Sequence, residues 1–159
     1  GTVIDEPAAM LFESRVNEAV AQGARLLVGN QRRGALYAPT VLDHVDPRMT
    51  VALEETFGPV KCMVRVRNTE EAIACANDNE YGLSAAVFGK DIARAFNVAR
   101  KIDSGICHVN GPTVHDEAQM PFGVVKGSGI GRFGGKAGIA EVTELRWVTV
   151  QTTPRHYPF

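Results

Sequence analysis

Two hydrophobic periods alternate between residues 60 and 110, and that alternation narrows the possible folds more than any other feature. Val60, Cys62, Val64 and Val66 are interleaved with Lys61, Arg65 and Arg67, the two-residue repeat of a strand with one buried face. Asn68 or Thr69 then caps a helix that ends near Asn77; Glu70 and Glu71 fall in its first turn, where the backbone dipole favours negative charge. Gly82 marks the turn into a second strand over residues 84–88. Residues 91–101 predict another helix, with Ile92, Ala95, Phe96 and Ala99 at helical spacing, and residues 105–110 a third strand. Strands that succeed each other through helices pair in parallel, so the predicted class is α/β with a parallel sheet and crossover helices. Ligands gather at the carboxyl ends of strands in such sheets, so Asn110 and the loop after it sit where chemistry is expected.

The flanks are simpler. Residues 6–22 predict an amphipathic helix with Leu11, Val16 and Val20 on its apolar stripe, Ala8, Phe12 and Ala19 nearby, and Gly23 as its C-cap. Leu26, Leu27 and Val28 make a short strand, and residues 37–42 an extended piece whose Pro39 suggests an edge or an entry position. Residues 136–144 predict a short helix and residues 146–152 a last strand, followed by an irregular tail over 154–159. There are no internal repeats and no low-complexity segment.

Composition excludes several classes of function. A chain of 159 residues fits one domain, and 45% hydrophobic with 22% charged residues is a globular profile. A net charge of -1 gives no footprint for nucleic acid or anionic lipid. No apolar run approaches the ~18 residues of a membrane span, and no secretion signal opens the chain. Cysteines at 62, 75 and 107 form neither a disulfide framework nor a zinc pattern, which predicts a reducing, cytoplasmic setting. Gly1 in place of an initiator Met, with a helix starting almost at once, reads as part of a longer chain.

Four stretches carry candidate chemistry. Glu54, Glu55, Thr56, Phe57, Gly58 and Pro59 precede the first strand of the alternation, and the Gly-Pro turn holds them at its mouth. An exposed carboxylate there can accept two hydrogen bonds from a ribose diol, with a flat ring beside it to pack on a sugar or nicotinamide. The alternative is a charged loop over a buried phenylalanine. Gly129, Gly131 and Gly134 match G-x-G-x-x-G, but no full buried strand precedes them and the acidic residue expected about 20 positions on is missing, so a flexible loop is the better reading. Each cysteine falls on a strand or helix where it acts as a small hydrophobe. His115, Asp116 and Glu117 form a polar loop at a strand's carboxyl end; these residue types suggest a metal site or an acid-base pair, but adjacent loop residues rarely converge on one ion, and the alternative is a solvated loop.

Residues 54–60, 79–88, 105–110 and 120–132, in that order, resemble the C-terminal part of the NAD(P)-dependent aldehyde dehydrogenase superfamily, and the resemblance runs from Gly1 to at least Trp147. Residues 115–135 and the ending Arg155, His156, Tyr157, Pro158 and Phe159 are most similar to its aromatic-aldehyde branch, which includes benzaldehyde, vanillin and salicylaldehyde dehydrogenases. The resemblance implies a partial, Rossmann-like parallel-sheet catalytic domain over residues 1–145 and an oligomerisation strand with its tail over 146–159. It implies that Glu55 binds the ribose of NAD or NADP with Phe57 packed beside it. It implies that Val114 and His115 wall the aldehyde pocket and that Phe122 lines the substrate tunnel. The family's nucleophilic cysteine and general-base glutamate lie upstream of the matched region, so the resemblance implies no catalytic residue and no metal site here, and an inactive isolated segment. It also implies a homo-oligomer joined through residues 146–152.

Two positions depart from the family pattern. Gly123-Val124 stands where most members carry Gly-Gly, so a Cβ either strains a turn that needs positive φ or fills space. Phe133 stands where many carry a glutamate, which removes a candidate proton relay. Two other readings stay open: a non-catalytic, self-associating module or truncated gene product, suggested by the unpaired edges of an incomplete sheet, and a nucleotide-binding protein using residues 127–135.

Overall fold

The computed structural model describes residues 1–158, and its chain divides into two compact units, Gly1–Asn79 and the residues from Glu80 onward. Phe159, the end of the predicted tail, lies outside the described residues.

In the first unit, α1 (Glu6–Ala21) starts where Asp5 accepts the Ala8 N–H at 2.8 Å, with a proline in its first turn. Its buried face is Ala9, Phe12, Val16 and Ala19. The predicted stripe is therefore rotated: Leu11 and Val20 are 47% and 41% exposed. Phe12 sets this face by packing edge-on against Tyr37, ring centroids 5.8 Å apart. Strands β1 (Arg25–Val28), β2 (Arg32–Arg33), β3 (Leu36–Tyr37) and β4 (Thr40–Asp43) follow, then α2 (Thr50–Leu53), β5 (Val60–Cys62) and α3 (Thr69–Asn77). The predicted extended piece over 37–42 is broken between β3 and β4, at Pro39, which has no N–H to donate. Sheet order is β1-β4-β5, with β1 antiparallel and β5 parallel to β4, and β2 pairs with β3 in a hairpin. The α1 face, Tyr37, Leu42, Val45, Met49, Val51 and Val60 close one core. The strand predicted through Val66 ends at Cys62, although Val64 still packs against that core.

The second unit contains β6 (Tyr81–Gly82), β7 (Ser84–Val87), α4 (Ile92–Ala99), β8 (Ile106–Val109), β9 (Phe122–Gly123), β10 (Val125–Lys126), β11 (Arg132–Phe133) and α5 (Gly135–Glu141). Strands β7 and β8 pair in parallel from Ser84↔Ile106 to Val87↔Val109, joined through α4 as the alternation predicts. Short antiparallel pairs β6–β10 and β9–β11 complete it.

One expectation is corrected. The alternation does not yield one continuous parallel sheet: among the described residues β5 pairs only with β4, and β7–β8 is a separate pair. A crossover helix unites two strands by burying a face on them. Helix α4 buries Ala95 and Ala99, whereas α3 buries no residue. The architecture is mixed α/β with small sheets. Among the described residues, 146–152 form no strand, and Trp147 and Val150 are 90% and 81% exposed. The last helix stops at Glu141, and Thr143 Oγ1 donates to the Ile139 carbonyl at 2.7 Å just beyond it. Among the described residues no helix is long and apolar enough to cross a membrane.

Candidate functional site

In the first unit the loop between α2 and β5 is fixed at several points. Arg15 of α1 pairs with the Glu54 carboxylate and donates to the Glu55 carbonyl oxygen at 3.0 Å. Gly58 lies on the Phe12 ring so closely that a Cβ would stand 2.5 Å from a ring carbon. Between these anchors Phe57 adopts φ 48°, a left-handed conformation rare for a residue with a side chain, and is 86% exposed. The alternative of a phenylalanine buried beneath a charged loop therefore fails. Arg15 is committed to Glu54 and to main chain, so the exposed Glu55 carboxylate has no partner among the described residues. Four acceptor lone pairs and an outward aromatic face suit a polyhydroxylated ring.

A strong electrostatic perturbation in this unit is structural. Asp43, at the end of β4, receives Arg65 Nε at 2.9 Å and Nη2 at 2.6 Å, and also the His44 N–H at 2.8 Å. The Arg65 hydrogen bonds hold its carboxyl at about 2, against the opposing effect of desolvation.

In the second unit a cleft of about 400 Å³ lies between β8, the loop after it and β9. His108, His115, Glu117, Met120 and Phe122 are in its lining; Val114, also expected there, is 91% exposed and is not. His115 Nε2 stands 3.4 Å from Glu117 Oε1, and Gln119 donates to the other carboxylate oxygen at 2.5 Å. The His115 ring meets His108 edge to face, centroids 5.7 Å apart and planes at 88°. His108 Nε2 is buried with no hydrogen-bond partner among the described residues, an arrangement that costs about 1–3 kcal/mol. Phe122 lies against Phe133 at 4.7 Å and 31°. Sequence reasoning singled out neither His108 nor the Phe133 stack. His108 shares one side of β8 with Ile106, and β9 and β11 are too short to show a period.

Asn110 is engaged in structure: its amide exchanges hydrogen bonds with both backbone groups of Gly89, at 2.8 and 2.9 Å. Burial pushes the Cys62 and Cys107 thiols up, away from the thiolate a nucleophile requires. Among the described residues no three His, Cys, Asp or Glu side chains are grouped to hold a metal ion.

The glycine loop folds on itself. Gly129, Gly131 and Gly134 all have positive φ, and the Arg132 guanidinium donates to the carbonyls of Val124 and Gly131 at 3.0 and 2.9 Å. Glu141 accepts the Arg132 N–H at 3.0 Å, bringing negative charge to a place where a phosphate would need donors. Val124 has no positive φ, so its Cβ fills space without straining the turn.

A model of the aldehyde dehydrogenase family matches residues 1–148. A vanillin dehydrogenase from Pseudomonas fluorescens is 53% identical over 158 residues, covering 99% of this chain and 33% of that protein. The structure of a salicylaldehyde dehydrogenase from Pseudomonas putida G7, complexed with salicylaldehyde, superimposes with a TM-score of 0.89 at 42% identity, covering 100% of this chain and 33% of the other. A glyceraldehyde-3-phosphate dehydrogenase from Bacillus halodurans C-125, complexed with NADP, gives 0.82 at 43% identity, covering 87% and 29%. The chain spans about a third of the length of these relatives.

Proposed function

The chain belongs to the aldehyde dehydrogenase family, and from that premise we propose that it is the C-terminal third of an NAD- or NADP-dependent enzyme oxidising aromatic aldehydes to carboxylic acids. The observation that carries this reading is the loop pinned by Arg15, which displays a Glu55 carboxylate with no partner among the described residues beside an outward Phe57 ring. Glu55 accepts hydrogen bonds from the ribose hydroxyls of the cofactor, and Phe57 covers the sugar's apolar face. When bound, the nicotinamide supplies a hydride acceptor. Phe122, backed by Phe133, offers a flat wall to a planar substrate, and His115 adds a polar group at the same cleft. Val114 belongs to the loop that follows β8, next to His115. The chain contributes binding and orientation; the nucleophilic thiolate and the base that activates water come from the rest of the enzyme.

The same proposal divides the chain into a catalytic-domain part, residues 1–145, and an oligomerisation strand with its tail, 146–159. The exposed Trp147, Val148 and Val150 support a strand that pairs with another subunit's sheet in a homo-oligomer. Three free cysteines fit a reducing, cytoplasmic setting. One observation favours the non-catalytic alternative: Phe88, Phe96 and Trp147 leave apolar surface on which the isolated chain can self-associate.

The test is aldehyde-dependent reduction of NAD and of NADP by the full-length enzyme, with the 159-residue chain assayed beside it. The expected result is turnover of benzaldehyde or its hydroxylated derivatives by the former and none by the latter. Turnover by the isolated chain, or none by either, contradicts the reading.

A further inference from the structure

Phe12, Arg15 and Glu18 stand three residues apart on α1, so their side chains occupy successive turns of one side of the helix. Each meets the segment that leads into β5. The Phe12 ring lies against Gly58, Arg15 pairs with Glu54 and donates to the Glu55 carbonyl oxygen at 3.0 Å, and Glu18 accepts the Thr50 hydroxyl at 3.0 Å. We propose that Arg15 is a positioning residue for the nicotinamide cofactor: it holds Glu54 back and fixes the main chain of Glu55, so that Glu55 is the carboxylate left to face the ribose. The proposal deepens the proposed function and rests on its assignment of this loop to the cofactor.

Glu54 and Glu55 are adjacent like charges, and either carboxylate has the acceptors that a diol needs. Arg15 separates their roles. Its side chain is 12% exposed, and its guanidinium engages the Glu54 carboxylate, whereas the Glu55 side chain stays out of that pairing. Among the described residues, 55–57 make no backbone–backbone hydrogen bond, so the Arg15 bond to the Glu55 carbonyl is what holds this stretch from outside. The left-handed φ of 48° at Phe57 persists only where its surroundings over-determine it. Arg15 supplies the restraint before Phe57, and the contact of Gly58 with Phe12 supplies the one after it. An arginine suits this place because its planar fork reaches a carboxylate and a carbonyl together, whereas a lysine offers one point charge.

The experiment titrates NADH and NADPH into the full-length enzyme by calorimetry, for wild type, Arg15→Met and Arg15→Lys, and for the same two changes combined with Glu55→Gln. Arg15→Met is expected to weaken binding of the preferred cofactor roughly 5- to 30-fold, the lower part of the range for a hydrogen bond to a charged group. Arg15→Lys falls between it and wild type. In the Glu55→Gln background Arg15→Met costs less than about 2-fold more, because the charge that it places is already gone. Unchanged binding in Arg15→Met overturns the proposal. A full further loss in the Glu55→Gln background also overturns it, and assigns Arg15 to the stability of the unit. Arg15→Lys gives the same comparison where Arg15→Met does not fold. If Glu55→Gln alone leaves binding unchanged, the assignment of the loop to the cofactor falls first and this proposal with it.

Discussion

The two units bury their apolar side chains to very different extents. The first encloses Phe12, Val16, Tyr37, Leu42 and Val60 in one core between a helix and a sheet. In the second, Ala95 and Ala99 are the buried hydrophobic residues among those described, while Phe88, Ile92 and Phe96 face outward. The proposed cofactor-gripping loop therefore stands on a self-sufficient support. The proposed substrate wall is held by short hydrogen-bonded ribbons and close backbone contacts, such as Gly123, where a Cβ would stand 1.8 Å from Arg132 Cδ. A rigid anchor suits recognition of an invariant ribose, and a lightly supported wall suits a site whose substrate varies.

The sharpest way to break this comparison is to truncate one aromatic in each unit of the isolated chain. Phe12→Ala is expected to destabilise the first unit by about 3–5 kcal/mol, as for other buried aromatics, and Phe96→Ala to change stability by no more than about 0.5 kcal/mol. Urea midpoints measure both, and equal losses would show that the second unit has a core of its own. Gly58→Ala comes next. Its methyl group would meet the Phe12 ring, with an expected cost of about 1–3 kcal/mol and a displaced loop, read as a weaker grip on the cofactor by the full-length enzyme.

A smaller effect follows from Asp43. Its carboxyl is held at about 2 when folded, against about 3.9 for an unfolded chain, so its stabilising contribution is complete above pH about 4 and is lost as pH falls through 2. The urea midpoint should decline over that window, and Arg65→Met should flatten the decline. An unchanged profile in that variant would mean that Arg65 does not set it.

Where sequence and structure agree, the reason is local. The Asn68 cap, the α4 spacing and the β7–α4–β8 crossover follow from residues close in the chain, and the structure contains all three. That the loop of Glu55 and Phe57 opens a strand was legible from its Gly-Pro turn, whereas the exposure of Phe57 was not decided by the residues alone. The failures are non-local. Which side of α1 is buried depends on Tyr37, many residues away. Helix α3 has its predicted cap yet buries no residue, and no periodicity within α3 decides that. Residues 146–152 carry strand-forming side chains, but a strand also needs a partner, which the sequence of one chain does not name. His108 was missed because an isolated histidine in a strand has no motif around it.

Glu55→Gln in the full-length enzyme tests the central claim most directly. The change keeps the side chain's size and removes the charge that strengthens its hydrogen bonds to the ribose. The expected result is a KM for the nicotinamide cofactor raised about 10- to 100-fold, the range for hydrogen bonds to a charged group, with the KM for the aldehyde little changed. An unchanged cofactor KM, or an equal rise in both constants, would contradict the assignment of this loop to the cofactor.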